Sequence, residues 1–387
     1  MAHGVVSRLA AARRRYAGRR VPHGLFGPGL LLCHRPLVRT HLRLWWAGRS
    51  GVPPAAHVVL ELWLYVRFLL TLPRQLRQAP RGRRVRLLVR SAAWSVPPGQ
   101  LLLFGLDRPG SRLLEFVFDQ EIGGWHALRN RDASATALLA DKQAFAELAA
   151  AHGVTVPRAL VAVRRGSAEP LATLLTGTAG DPLEVFCKLR AGNRALGAFA
   201  AVRAEAGWIG RRLNGPPLDS PAAVESAWRE LIGHGDALVQ PLLRDCVALR
   251  PLAEVEGDEV TTIRAITRRD DELLVALLEV PLPTGGYAIL EIEAATGAVL
   301  PEVPHHPTPA AARAVRQRAG DGFRVPCFDA ILAQSARLQA LVDLPAIAWD
   351  WTVTADGPVL LEGNSGWSGL MPQVFRGGLL TGDRCGA

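Results

Sequence analysis

The chain has 387 residues, enough for two or three domains and a sizeable buried core. Hydrophobic residues make up 49% and charged residues 21%, with 38 Gly and 28 Pro, which excludes collagen-like, disulfide-scaffold and wholly disordered classes. The formal charge of +10 is carried by 43 arginines and only two lysines, Lys142 and Lys188, and residues 1–100 hold 18 of those arginines against a single acid, Glu61.

From residue 5 to about 90 the sequence reads as helices with Arg-rich faces, interrupted at Gly27-Pro28, Pro53-Pro54, Pro73 and Pro80. Over 58–72 apolar residues occupy most of the helix circumference, which predicts burial against a neighbour. That run contains Glu61 and Arg67 and is too short to span a bilayer, so no transmembrane helix is expected. The arginines form either a solvated surface or a patch for anionic lipid headgroups or a polyanionic substrate, where guanidinium meets phosphate through charge and bidentate geometry. Nucleic acid is not expected, because no helix-turn-helix, zinc-finger or RNA-binding signature accompanies the charge. Arg13-Arg14-Arg15 evokes an export signal, but 25–33 is broken by Gly and Pro and lacks a small-residue cleavage site, so the start is read as mature protein. Five scattered cysteines (33, 187, 246, 327 and 385) without a CxxC pair suggest neither a disulfide framework nor a zinc site. The expected location is cytoplasmic, with anionic lipid contact placing the protein at the inner face of the membrane.

Around Pro97-Pro98-Gly99 the composition shifts towards balanced charge, and 94–125 reads as a connecting lobe. One helix is predicted over 134–152, stopped by Gly153. Strands at 159–163, 184–189 and 237–240 then surround a helix over 221–232. From Glu259 the pattern changes to strands joined by tight connections, at 260–267, 273–280 and 287–293, which predicts antiparallel pairing. A helix over 328–342 precedes strands at 347–353 and 358–362. The fold class is α+β, divided into a basic helical region (1–95), a connecting lobe (96–133) and two α+β lobes (134–240 and 241–378).

The last hairpin, AIAWDWTVTADGPVLLEGN, is the most specific feature. A three-residue loop ending in a left-handed Gly357 would pair Thr354 with Pro358 and set Asp350 opposite Glu362, on one face and about 5 Å apart. Asn364, two positions further, shares that face. Two carboxylates and an amide oxygen, with room left for water and phosphate, suit magnesium. A two-residue turn would instead send Asp350 to the opposite side, as on the solvent face of an edge hairpin.

Glu-x-Asn at the end of a strand, with an Asp in the partner strand, resembles the metal-binding signature of the ATP-grasp superfamily, and the wider pattern resembles its sugar-transfer associated branch. The stretches DKQAFAELAAAHGVTVP, VFCKLRAGNRALGA, LVQPLLRDCVALRPLA, VTTIRAIT and IAWDWTVTADGPVLLEGN stand in that family's order over roughly 113–373. The resemblance implies an ATP-grasp fold, two α+β lobes clamping ATP, with Asp350, Glu362 and Asn364 holding Mg2+. It places two lysines on the nucleotide phosphates, Lys142 on the first helix and Lys188 at the end of a strand. Gly192 and Gly197 fall in the phosphate-covering flap, 190–197, which departs from the family: Leu189 stands where Pro usually follows the lysine, and Arg194 interrupts the glycines. Gln240 and Leu242 would read adenine at the hinge between lobes, and Asp245 the ribose.

Arg264 matches the family's Thr-x-Arg pattern and alternates with Thr262 along a strand. An inward Arg needs an anionic partner, either phosphate, a substrate carboxylate or a structural salt bridge. His305 and His306, between Pro304 and Pro307, are candidates for substrate contacts. No Ser/His/Asp triad, catalytic Cys or dinucleotide fingerprint stands out, which agrees with the implied chemistry. ATP would activate a carboxylate as an acylphosphate for attack by an amine or similar acceptor, and no protein nucleophile is needed. The family's name implies surface-polysaccharide or glycoconjugate biosynthesis. A kinase on the same fold and a non-catalytic nucleotide-binding module are the alternatives.

Overall fold

The computed structural model describes residue 16 and the chain from 19 to 380, apart from 33–35, 50, 109–110, 177–182, 193–195, 214, 254–258, 270–271, 284 and 304–305. The chain divides into two compact units, one of 1–131, 303–307 and 366–387 and the other of 132–302 and 308–365.

The first unit contains helices α1 (Pro28–Leu32), α2 (Pro36–Ala47), α3 (Pro54–Gln75), α4 (Arg84–Trp94), α5 (Pro98–Leu103) and α6 (Ile122–Arg129). Proline pairs open α3 and α5, where the missing N–H costs nothing. Helix α3 turns His57, Glu61, Leu64, Phe68 and Leu72 inward at intervals of three and four. Phe68 and Leu72 share a core with Leu87 of α4, Leu101 of α5 and Phe118. Burying a carboxylate is costly unless it is paired, and the three buried acids here are: Asp107 lies 3.2 Å from Arg83, and Glu61 and Glu121 meet histidines. Glu61 accepts the His23 backbone N–H at 2.8 Å and lies 2.6 Å from His23 Nδ1. Glu121 accepts the Leu25 N–H at 3.2 Å and lies 2.9 Å from His41 Nδ1. Burial works against a charged His41, yet Glu121 holds its pKa above the ordinary histidine value.

Two expectations for this region are corrected. Only one side of α3 is buried, since Val59 and Leu70 are 66% and 77% exposed. With the turn that follows it, the helix runs over Pro54–Gln78 and is long and apolar enough to cross a membrane by length and composition.

In the second unit the single helix expected over 134–152 is two, α7 (Ala133–Ala140) and α8 (Lys142–Ala151). Asp141 interrupts them with extended backbone, and its carboxylate caps α8 by accepting the N–H groups of Gln143 and Ala144. A six-stranded sheet follows, ordered β1-β6-β2-β3-β4-β5. Its strands are β1 (Val161–Val163), β2 (Glu184–Leu189), β3 (Phe199–Ala204), β4 (Gly207–Arg212), β5 (Pro217–Leu218) and β6 (Ala237–Pro241), all antiparallel. Helices α9 (Leu171–Leu175) and α10 (Pro221–His234) cover it, with Leu175, Trp228 and Leu231 in its core. The β3–β4 hairpin has no counterpart in the sequence reading.

The second sheet is ordered β11-β10-β7-β8-β9, from β7 (Thr262–Arg268), β8 (Leu273–Pro281), β9 (Tyr287–Ile292), β10 (Ala346–Thr354) and β11 (Gly357–Asn364). Helices α11 (Pro309–Ala319) and α12 (Phe328–Leu341) pack on it, joining Val315, Ile331 and Leu338 to Ile263, Leu278, Trp349 and Trp351. The expected pairing of Thr354 with Pro358 does not form. Thr354 pairs with Gly357, Val353 with Pro358 and Trp351 with Leu360. Continued unchanged, that register would place Leu361 opposite Asp350 and turn Glu362 to the other face. The register shifts by one residue between Trp351 and Asp350, leaving Leu361 as the extra residue of a β-bulge, and Asp350 comes opposite Glu362.

Candidate active site

Three charged residues form a row across adjacent strands of the second sheet: Glu362 on β11, Asp350 on β10 and Arg264 on β7. Arg264 donates from Nε and Nη2 to the two Asp350 oxygens at 2.7 and 3.0 Å, and from Nη1 to Glu279 Oε1 on β8 at 2.8 Å. Its anionic partners therefore include two carboxylates of its own sheet. Burial disfavours the charge, yet Asp350 and Glu279 hold the Arg264 pKa above its ordinary value. Burial pushes the Glu279 carboxyl up to about 7 against the pull of Arg264, and raises Asp350, which is 5% exposed.

The Asn364 amide donates to Asp350 Oδ2 at 2.9 Å and to Glu362 Oε1 at 3.1 Å, bridging two carboxylates that would otherwise repel. The other Glu362 oxygen lies 3.2 Å from Lys142 Nζ. Burial opposes ionisation of Glu362, but Lys142, the Asn364 hydrogen bond and Lys188 together hold its pKa below the usual carboxylate value.

The two lysines meet because the end of β2 is sewn to the start of α8. Arg190, just past β2, accepts the Lys142 backbone N–H at 3.0 Å on its carbonyl. Its guanidinium forks onto Asp141 at 2.9 and 2.7 Å. Lys142 Nζ also donates to the Gly192 carbonyl at 2.7 Å. Lys188, half-buried on β2 beside Leu238 of β6, has its pKa lowered to about 8. Burial is the main cause, the Lys142 charge adds to it, and Glu362 opposes it.

The structure thus brings together Lys142, Lys188, Arg264, Asp350, Glu362 and Asn364. Gly192 joins them through the carbonyl that accepts from Lys142 Nζ, and Gln240, Leu242 and Asp245 make contacts of their own in this unit. Gln240 is buried and donates to the Pro157 carbonyl at 3.0 Å, and the Leu242 N–H donates to the Glu184 carbonyl at 3.3 Å. Asp245 accepts the Thr261 N–H at 3.1 and 3.0 Å and the Thr352 hydroxyl at 3.2 Å, and burial raises its pKa. Gly192 and Gly197 both have positive φ, +158° and +69°, while Arg194 and the middle of the flap, 193–195, lie outside the described residues. His306 belongs to the first unit, its ring 6.0 Å from Phe375, and His305 lies outside the described residues.

Sequence reasoning missed Glu279, Asp141 and Arg190. Glu279 could have been found as the one acid in the apolar run LLVALLEV, and Asp141 as a capping residue in the middle of a helical pattern.

Three acids (Asp350, Glu362 and Glu279) and three bases (Arg264, Lys142 and Lys188) gather here. Magnesium fits this oxygen set, since it is usually held by one or two carboxylates with phosphate and water completing the shell. Among the described residues no group of three or more His, Cys, Asp or Glu forms an all-protein metal cage. Glu362 is the more available ligand, because Arg264 already spans both Asp350 oxygens. The two ammonium groups beside it suit a polyanion.

No protein-family profile matches the sequence, and no curated protein does. Solved structures of partly similar chain path include an ATP-grasp ligase, a further ligase and a synthetase. One is the ligase PsnB complexed with a phosphomimetic variant of a minimal precursor, Mg and ADP, at 16% identity and a TM-score of 0.35, covering 70% of this chain and 64% of that one. Another is D-alanine–D-alanine ligase from Bacillus anthracis complexed with ATP, at 9% identity and a TM-score of 0.33, covering 60% and 55%. A third is the D-cycloserine synthetase DcsG, at 14% identity and a TM-score of 0.35, covering 72% and 92%. This chain spans less than two thirds of the length of PsnB and of the D-alanine–D-alanine ligase. Likeness at these values assigns this chain neither a family nor an activity.

Proposed function

We propose that the second unit is an ATP-grasp catalytic unit, and that it uses magnesium and ATP to activate a carboxylate for attack by an amine or similar acceptor. One observation carries the reading: of the only two lysines of an arginine-rich chain, 46 positions apart, Lys142 pairs with Glu362 beside Asp350 and Asn364, and Lys188 is near enough for its charge to be felt by both Glu362 and Lys142. A surface ion pair would not select lysine where arginine fills every other basic position.

Glu362 and Asp350, with Asn364 turned to present its amide oxygen, would hold Mg2+, which supplies positive charge between the phosphates. Lys142 and Lys188 would each meet phosphate oxygens, Lys142 exchanging its contact with Glu362 for one with the nucleotide. Arg264 favours the ionised form of Asp350 and fixes its direction. A substrate carboxylate oxygen then forms a bond to the γ-phosphorus as the bond from that phosphorus to its bridging oxygen breaks, giving an acylphosphate and ADP. The acceptor amine bonds to the acyl carbon as the carbon–phosphate bond breaks, releasing inorganic phosphate and a proton. The order of the family-like stretches supports extending the reading to the sugar-transfer associated branch and to glycoconjugate assembly.

Calorimetric titration with ATP, with and without magnesium, tests the site. Wild type should bind ATP only when magnesium is present, and Glu362→Gln and Lys188→Met should each weaken binding at least about tenfold, the effect of losing one charged contact. Equal binding by wild type and both variants would remove the basis for the reading. In turnover, inorganic phosphate released with an amide marks a ligase, and a phosphorylated product marks a kinase.

A further inference from the structure

The outward side of α3 carries an exposed apolar strip. Val58, Val59, Leu62, Trp63, Val66 and Leu70 are between 45% and 77% exposed. Their spacing places them in one arc along the helix, opposite the buried Glu61, Leu64 and Phe68. A soluble domain usually turns polar side chains to that side, and a continuous apolar strip rimmed by polar groups marks a contact surface. The rim here is arginine. Arg67 and Arg74 flank the strip on exposed positions, and the Arg67 guanidinium lies 5.2 Å from the Trp63 ring centre. Arg49 stacks 4.3 Å over Trp46, itself 42% exposed on α2. Past the helix end, Arg77, Arg81, Arg83 and Arg86 are exposed near Val85 and Val89 of α4, which are 77% and 62% exposed.

We infer that this face docks on an anionic lipid bilayer, with α3 lying in the plane of the interface, its apolar strip at the acyl boundary and the arginines among headgroup phosphates. Charge complementarity selects the partner. The one acid of residues 1–100, Glu61, faces inward on His23 and is fully buried; Asp107 pairs with Arg83 at 3.2 Å, and the rim keeps an excess of positive charge. A second copy of the chain would set arginine against arginine. A lipid surface accepts both parts at once, through apolar burial and through the attraction of each basic residue to anionic headgroups. The in-plane orientation follows from the other side of α3, where Glu61 and His57 are buried within the protein, which leaves one face for lipid.

The whole protein is sedimented with vesicles of phosphatidylcholine alone and of phosphatidylcholine mixed with phosphatidylglycerol. Binding should require the anionic lipid, weaken as salt is raised, and shift tryptophan emission to shorter wavelength. Val66→Glu combined with Leu70→Glu, both at exposed positions, should keep the native circular dichroism and lower vesicle affinity at least about tenfold through lost apolar burial. Arg67→Glu and Arg74→Glu should each lower it about fivefold or more. The inference is overturned by equal binding to neutral and anionic vesicles, or by full binding of the double variant. It is equally overturned by resistance to alkaline carbonate extraction, which marks a spanning helix, or by a lipid-free dimer that the double variant breaks. It rests on the first unit alone and stands or falls separately from the activity proposed for the second.

Discussion

Asp350 and Glu362 face one another across β10 and β11 with the Asn364 amide donating to both, and each carboxylate has its own cation, Arg264 for one and Lys142 for the other. Each cation pulls its acid towards the ionised form, against the burial that opposes it.

Replacing Arg264 with Met leaves Asp350 and Glu279 buried without their shared partner. The expected loss is about 3–5 kcal/mol of folding stability, measured from urea unfolding midpoints. Arg264→Lys should recover part of it, because an ammonium restores the charge but cannot reproduce the fork that spans both Asp350 oxygens.

Lys188 sets a pH dependence. Its pKa in the folded chain is lowered to about 8, below the unfolded value of about 10.4. Between those values the unfolded chain binds more protons than the folded one, so stability rises with pH across that window. Below about 8 the folded state carries the full cost of a charged, buried amine. Phosphate binding needs the ammonium, so ATP affinity should move the opposite way, falling by up to about tenfold per pH unit above 8. Titrations either side of pH 8 check both trends, and Lys188→Met should flatten them.

Asp141 caps α8 and anchors Arg190. Asp141→Ala should cost about 1–2 kcal/mol from the lost cap and also weaken ATP binding, because the contact that holds Lys142 against the end of β2 is loosened. Thermal unfolding and calorimetry on the same variant separate the two effects. A stability loss with unchanged affinity would show that the helix start does not position Lys142.

Gly363, between Glu362 and Asn364, has no room for a side chain: an added Cβ would lie 2.8 Å from the Trp349 ring and 3.1 Å from Leu139. Gly363→Ala should therefore displace the Trp349 indole, whose N–H donates to the Thr267 hydroxyl at 2.7 Å. The expected cost is about 1–3 kcal/mol. Activity should fall with it, since the flanking metal-site candidates move together, and a denaturation curve paired with a turnover assay reads both.

What the sequence determined by itself was the inventory of chemistry and most of the strands. Two lysines among 43 arginines stood out because composition made them rare, and the runs that became β2, β7, β8, β10 and β11 were legible because apolar, β-branched and aromatic residues repeat between turn signals. Tertiary structure decided which of those residues meet. The facing of Asp350 and Glu362 was expected from a loop that does not form, and it exists because the extra residue Leu361 corrects the register. A bulge depends on packing along both strands and leaves no local signal. The partners of Arg264 were hidden for a similar reason: Glu279 lies on the neighbouring strand, and only sheet order brings it within reach. The exposed side of α3 could not be read either, because an apolar helix surface has the same pattern whether it is covered by protein or left for another partner.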